Sequence, residues 1–231
     1  MDFTSRVESI DHHFEIALTG LLYVGYCKQT RVEYGMSDLD QQFDLIRRIR
    51  GTHIERGLAC GELDQAEAQF RFRFPPDLRE LLGYGLPAGE RWPNWRAAIE
   101  NPEGPSAVYL QEQLAWPLRG MLVDIRHDSF WDPDWGTRPT VLADALRMAT
   151  EAVQAAPRLI PVFSHRYLPD EPCIAGNPVL SVYQTDIIVY GPDLHSYFQA
   201  ESGSFDAVLC EGWRAIRCWT RWMLAEWEYE R

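Results

Sequence analysis

The chain has 231 residues, carries 34 acidic against 22 basic side chains for a formal charge of −12, and is 46 % hydrophobic. That apolar fraction excludes a disordered chain, and the length suits one large domain or a domain with an appendage. The acidic balance argues against a non-specific nucleic-acid binder and against an anionic membrane surface as partner, because both need a basic footprint; it favours a basic partner.

The apolar stretch Ala17 to Cys27 is broken by Thr19, Gly20 and Gly25 and is shorter than the roughly 20 residues of a membrane span. Asp2 and Glu8 beside Arg6 do not make the basic start of a signal peptide. The five cysteines (Cys27, Cys60, Cys173, Cys210 and Cys218) form an odd set without a CxxC pair. They suggest neither a disulfide framework nor a zinc site, and a cytoplasmic protein with reduced thiols is expected.

In chain order, Phe3, Val7, Ile10, Phe14 and Leu18 recur at steps of three and four and predict an N-terminal helical extension over residues 1–36. Ser37 is a candidate cap for a helix from Asp38 to His53, with Leu39, Phe43, Ile46 and Ile49 inward. Arg47, Arg48, Arg50 and Arg56 read as a solvated face diluted by nearby acids. A short helix is expected from Gly61 to Phe70, burying Leu63, Ala66 and Phe70. Pro76 should open the next helix, because its fixed φ suits the first helical position, and Gly83 and Gly85 should close it as left-handed caps. Gly83, Gly85 and Gly89 do not make a dinucleotide fingerprint, since their spacing is wrong and they follow a helix.

The middle of the chain is rich in aromatic residues and proline. Within it, Gly120 to Ile125 resembles a buried strand, and Val141 to Ala155 reads as a helix with Leu142, Ala145, Leu146, Ala149 and Val153 as its inner face. Strand signals follow at Arg158 to Phe163, Val179 to Tyr183 and Asp186 to Tyr190, the last two joined by Gln184-Thr185. A helix should begin near Asp193, and the tail from Phe205 to Glu230 reads as helical, open to an interruption near Gly212, with Val208, Leu209, Ile216, Trp219 and Leu224 apolar. Helices around a mainly antiparallel sheet make the expected class α+β.

Two blocks of the chain carry a family resemblance. One runs through Gly57-Leu58, Leu63 to Phe74, Pro75-Pro76-Asp77-Leu78 and Gly85-Leu86-Pro87 to Trp92-Pro93-Asn94-Trp95-Arg96. The other comprises Leu159-Ile160-Pro161-Val162, His165 to Pro169, Gly176-Asn177-Pro178-Val179 and Ser181 to Ile188. With Trp131 and Trp135-Gly136 between them, these blocks resemble the SUKH superfamily of bacterial proteins and fungal cell-wall-synthesis regulators. The resemblance implies a single α+β domain over residues 37–231, with helices against a bent antiparallel sheet. For bacterial members it implies immunity proteins that neutralise toxins, often nucleases or nucleic-acid deaminases, and it brings no shared catalytic constellation.

Asp128, Asp132 and Asp134, beside His127, could hold a divalent cation or serve as paired carboxyls, but they lack an EF-hand's spacing and read as turn and capping residues. Neither Ser164 nor Ser181 sits in a GxSxG elbow, and no phosphate loop or HExxH motif occurs. No enzymatic activity, metal or other cofactor is therefore expected. Trp92, Trp95, Trp219 and Trp222 read as core, whereas Trp131 and Trp135, flanked by Asp and Pro, are surface candidates.

The leading expectation is a non-enzymatic binding protein, an immunity protein whose partner is a toxin domain with a basic surface. Residues 120–206 hold 12 acids against 5 arginines, so the loop of Asp128, Trp131, Asp132, Asp134 and Trp135 is its first candidate contact. The alternative is a regulator, or an enzyme, that recognises a small molecule or carbohydrate through His165, Arg166 and Asp186.

Overall fold

In the computed structural model the described residues are 38–204 and 212–223, all within one compact unit, Met36–Arg231. The N-terminal extension, the Ser37 cap and the tail positions Val208, Leu209 and Leu224 lie outside the described residues. Helix α1 (Asp38–Arg48) has Asp38 and Asp40 in its first turn and Arg47 and Arg48 in its last, the arrangement its macrodipole favours. It ends before His53, because Gly51 at φ 80° reverses the chain into strand β1 (His53–Arg56).

Helix α2 (Cys60–Phe70) buries Leu63, Ala66 and Phe70 as their spacing predicts. Pro76 occupies the first position of α3 (Pro76–Tyr84). The expected left-handed caps do not form: Gly83 lies within α3, and Gly85 at φ −161° is extended. The chain passes directly from α3 into strand β2 (Gly85–Ala88), antiparallel to β1. A Cβ at Gly85 would lie 2.7 Å from the Phe43 ring, so close packing, not φ, requires glycine there.

Asn94 caps α4 (Trp95–Glu100) by accepting the Ala97 N–H. The 22-residue helix α5 (Pro105–Arg126) follows and corrects the strand expected at Gly120 to Ile125. Its buried positions Leu110, Gln113, Pro117, Gly120, Met121 and Ile125 keep helical spacing through the interior proline. Pro117 has no N–H to bond the Gln113 carbonyl. The Tyr167 hydroxyl donates to that carbonyl instead, at 3.1 Å.

Helix α6 (Leu142–Gln154) buries Ala145, Ala149 and Val153; Leu142, expected to face inward, is exposed in its first turn. Strands β3 (Leu159–Phe163), β4 (Arg166–Pro169), β5 (Val179–Tyr183) and β6 (Asp186–Gly191) then form an antiparallel meander in that order. Helix α7 (Leu194–Glu201) is capped by Asp193, which accepts the Ser196 N–H at 2.7 Å. The tail is interrupted at Gly212, as the sequence allows: among the described residues 212–216 are irregular, 217–218 form a turn and 219–223 are helical. Cys218, expected within that helix, is a partly buried turn residue at φ 68°.

The fold is α+β. Because side chains alternate along a strand, the meander supplies two cores. Ile160, Val162, Leu168 and Val179 join the core of α1–α4 and α7, while Leu159, Tyr167, Leu180, Val182 and Ile187 pack with α6, the second half of α5, Trp219 and Trp222. Trp92 and Trp95 are buried as expected. No described helix is long and apolar enough to cross a membrane.

Candidate functional site

Within the acidic loop Asp132 is a structural clamp, whereas Asp128 and Asp134 are exposed. Asp132 is only 2 % exposed, caps the 3-10 turn Pro133–Trp135 by accepting the Asp134 N–H at 3.0 Å, and accepts the Trp222 indole N–H at 2.6 Å. Arg221 bridges Asp132 and Asp134, and Arg138 holds Asp128 at 2.8 Å. Trp131 and Trp135, expected as surface anchors, are half-buried against the second core. Their rings meet edge to face at 5.1 Å, and the Trp131 indole donates to the Gly136 carbonyl at 2.8 Å. Among the described residues no group of three or more His, Cys, Asp or Glu side chains is placed to hold a metal ion.

The three polar candidates of the sheet are electrostatic neighbours, Arg166 and Asp186 both acting on His165, but among the described residues no hydrogen bond or ion pair joins their side chains. The Arg166 guanidinium lies 3.8 Å from the Tyr190 ring centroid, donates to Ser181 at 2.8 Å and faces Glu201 of α7 at 3.6 Å. It is a packing element of the α7 side. Asp186 is exposed opposite Tyr183 at the base of the β5–β6 turn. Of the three, His165 lines a cavity.

That cavity, of about 380 Å³, lies between α5 and the turn ends of the sheet, and Tyr109, Glu112, Gln113, Trp116, Arg119, Ser164, His165, Tyr167 and Tyr183 line it. Three aromatic side chains there remain open to solvent: Tyr109 is 45 %, Trp116 43 % and Tyr183 57 % exposed. Trp116 and Tyr183 touch, with centroids 6.4 Å apart and planes tilted by 53°.

Local chemistry explains why these residues meet. Gly120 and Asp124 follow Trp116 at four-residue steps, on the same face of α5. A Cβ at Gly120 would lie 2.8 Å from the Gln184 Cα, so glycine there lets the β5–β6 turn rest on the helix. The Asp124 carboxylate then accepts both the N–H and the hydroxyl of Thr185, at 3.0 and 2.7 Å. Held this way, the turn sets Tyr183 beside Trp116. At the neighbouring turn, Ser164 has φ 52° and its N–H donates to the Arg91 carbonyl at 2.9 Å, which fixes His165 at the cavity.

Burial and the nearby Arg166 and Arg91 charges push the His165 pKa down, so the ring is neutral at pH 7. Its Nδ1 lies 3.3 Å from the Ser164 Oγ, but no carboxylate hydrogen-bonds the ring among the described residues, so the third, orienting group of a nucleophilic triad is not in place. Gln113 is buried, with its amide nitrogen 3.5 Å from the Tyr109 hydroxyl and its Oε1 without a partner among the described residues. Apolar faces ringed by a few polar groups are the usual make-up of a ligand-binding cavity.

Of these residues only His165 is a candidate from sequence. Those on α5 stand at Tyr109, Gln113, Trp116, Gly120 and Asp124, steps of four, three, four and four along one helix, a pattern hidden when Gly120 to Ile125 is read as a strand. Compared with family models, with characterised proteins and with solved structures, the chain matches none. The SUKH resemblance rests on the two sequence blocks themselves.

Proposed function

We propose that this chain is a non-enzymatic binding protein, an immunity protein that neutralises a bacterial toxin of the nuclease or deaminase type, and that the aromatic cleft is its docking point. The observation that carries the cleft is the convergence of three solvent-open rings, Tyr109 and Trp116 from α5 and Tyr183 from the sheet. Rigid aromatic side chains give up little entropy when covered and dominate binding hot spots. The charge of −12 steers a basic partner, such as the substrate groove of a nucleic-acid enzyme, toward this surface. The toxin class comes from the SUKH resemblance.

The test is to find a toxin domain among the flanking genes and to co-express the chain with it, scored by bacterial growth. Protection by the wild-type chain, lost when Trp116 and Tyr183 are both replaced by alanine in a protein that still folds, is the expected result. Full protection by the double variant would remove the cleft from the interface, and no protection by the wild type would remove the immunity role. The cavity also favours a second reading, a carbohydrate-recognising regulator, because Glu112, Gln113 and Arg119 offer donors and acceptors beside stacking faces. Saturable heat on titrating oligosaccharides, abolished by Trp116→Ala, would select that reading.

A further inference from the structure

A second cavity, of about 520 Å³, opens between the end of α2, α5, the end of α6 and the start of β3. Its volume is in the range of small-ligand sites. Leu118, Val153, Leu159 and Trp219 contribute an apolar floor, and the Trp219 indole is already satisfied by the Pro157 carbonyl at 2.7 Å. The described wall residues include Arg71, Arg158 and three glutamines, and no aspartate or glutamate is among them. In a chain with 34 acids against 22 bases, the described wall runs against the overall charge.

A specific contact ties Arg158 to the end of α2. Arg158 Nη1 donates at 2.9 Å to the carbonyl of Phe70, the residue before Arg71, and both arginines line the cavity. Neither guanidinium is ion-paired with a described carboxylate, whereas Arg217, which donates to the Ala155 carbonyl at the same edge, reaches Glu171 at 3.7 Å. Asp170 accepts the Arg158 backbone N–H at 2.8 Å and is not among the described wall residues. Arg71 also ends α2 in the left-handed conformation, φ 60° and ψ 47°, which glycine or asparagine adopts at lower cost.

We infer that this cavity binds an amphipathic anion, a carboxylate carried on an apolar chain or ring, with the head group at Arg71 and Arg158 and the body over Leu118, Val153 and Trp219. Guanidinium groups match a carboxylate in charge and fork geometry, and the floor covers the apolar part. The site is separate from the aromatic cleft and does not depend on the immunity reading.

The test uses the full chain and two fluorescent probes with the same aromatic body, anilinonaphthalene sulfonate and the uncharged N-phenylnaphthylamine, with decanoate as competitor. The charged probe should bind at one site and be displaced by decanoate, and the neutral probe should bind about tenfold or more weakly, a difference of ~1.4 kcal/mol. Arg71→Gly should weaken the charged probe by a similar factor without lowering the thermal midpoint, because φ 60° suits glycine. Ala115→Trp, which fills the cavity from α5, should abolish binding with both arginines present; if that variant does not fold, Arg71→Gly alone decides. Equal binding of the two probes, no displacement by decanoate, or wild-type affinity in Arg71→Gly would overturn the assignment. So would a dimer of the ligand-free protein that Ala115→Trp dissociates, since the cavity would then be covered by a second copy.

Discussion

Replacing Asp132 with alanine withdraws one carboxylate from three donors at once. The Trp222 indole N–H, in a fully buried ring, loses its acceptor at 2.6 Å, which costs about 1–3 kcal/mol for a stranded buried donor. Loss of the cap on the Asp134 N–H adds about 1 kcal/mol. Arg221 is 46 % exposed and is rehydrated, so its lost pairing adds at most about 0.5–1 kcal/mol. The expected destabilisation is therefore about 3 kcal/mol, a large share of the roughly 5–15 kcal/mol that holds a typical domain together. An asparagine side chain in the same place would keep one acceptor oxygen for Trp222, so Asp132→Asn should cost about 1 kcal/mol. Asp128→Asn and Asp134→Asn, at exposed carboxylates, should each cost less than about 1 kcal/mol. Urea unfolding followed by far-ultraviolet circular dichroism measures all four variants, and near-ultraviolet dichroism reports the Trp131, Trp135 and Trp222 cluster. A loss below about 1 kcal/mol for Asp132→Ala, or equal losses for alanine and asparagine, would refute the clamp and return this loop to the candidate binding surface.

Elsewhere in the fold, the Arg96 hydrogen bond, with the Ala59 N–H, draws the Glu62 carboxyl from 4.5 down to about 2. Its stabilisation is thus present above pH 4.5 and lost as pH falls toward 2. Discounted for surface screening, Glu62→Gln should cost on the order of 1–2 kcal/mol at pH 7, and the difference from wild type should close near pH 2 in pH-resolved thermal melts. Burial pushes Asp170 up from 3.8 to about 6, so the native state holds its proton more tightly and loses stability as pH rises between those values. Asp170→Asn, which can still accept the Arg158 N–H, should raise the melting temperature at pH 7.5 and give no gain below pH 3.8. Gly120→Ala must push the Gln184 backbone away from 2.8 Å, at about 1–3 kcal/mol; hydrogen exchange at Thr185 should rise, and unchanged exchange would mean that the turn does not depend on this contact.

The elements legible in the sequence are those whose local pattern and burial agree. Leu63, Ala66 and Phe70, the Pro76 start, and the runs Leu159–Phe163 and Val179–Tyr183 bounded by turn residues all form as their spacing requires. Strands β1 and β2 leave no such trace, because four residues with three exposed in β1 carry no alternation. Helix α5 is obscured by Pro117, which suggests a break, and by Met121-Leu122-Val123, which suggests a strand. Asp132 looks like a solvated acid because its partner Trp222 is 90 residues away. The cleft is legible only at His165, since Trp116 and Tyr183 become neighbours through the approach of Gly120 to a turn far along the chain.

The Tyr167 hydroxyl on the Gln113 carbonyl joins two positions into a single unit of sequence change. With Pro117 present, a phenylalanine at 167 strands a buried carbonyl; with an alanine at 117, the helix bonds that carbonyl itself and the tyrosine hydroxyl becomes redundant. The double exchange is tolerable, while one of the two single exchanges is costly. Related chains should therefore travel between the Pro–Tyr and non-Pro–Phe pairings by losing the proline first, and the order of those two substitutions is set by one hydrogen bond.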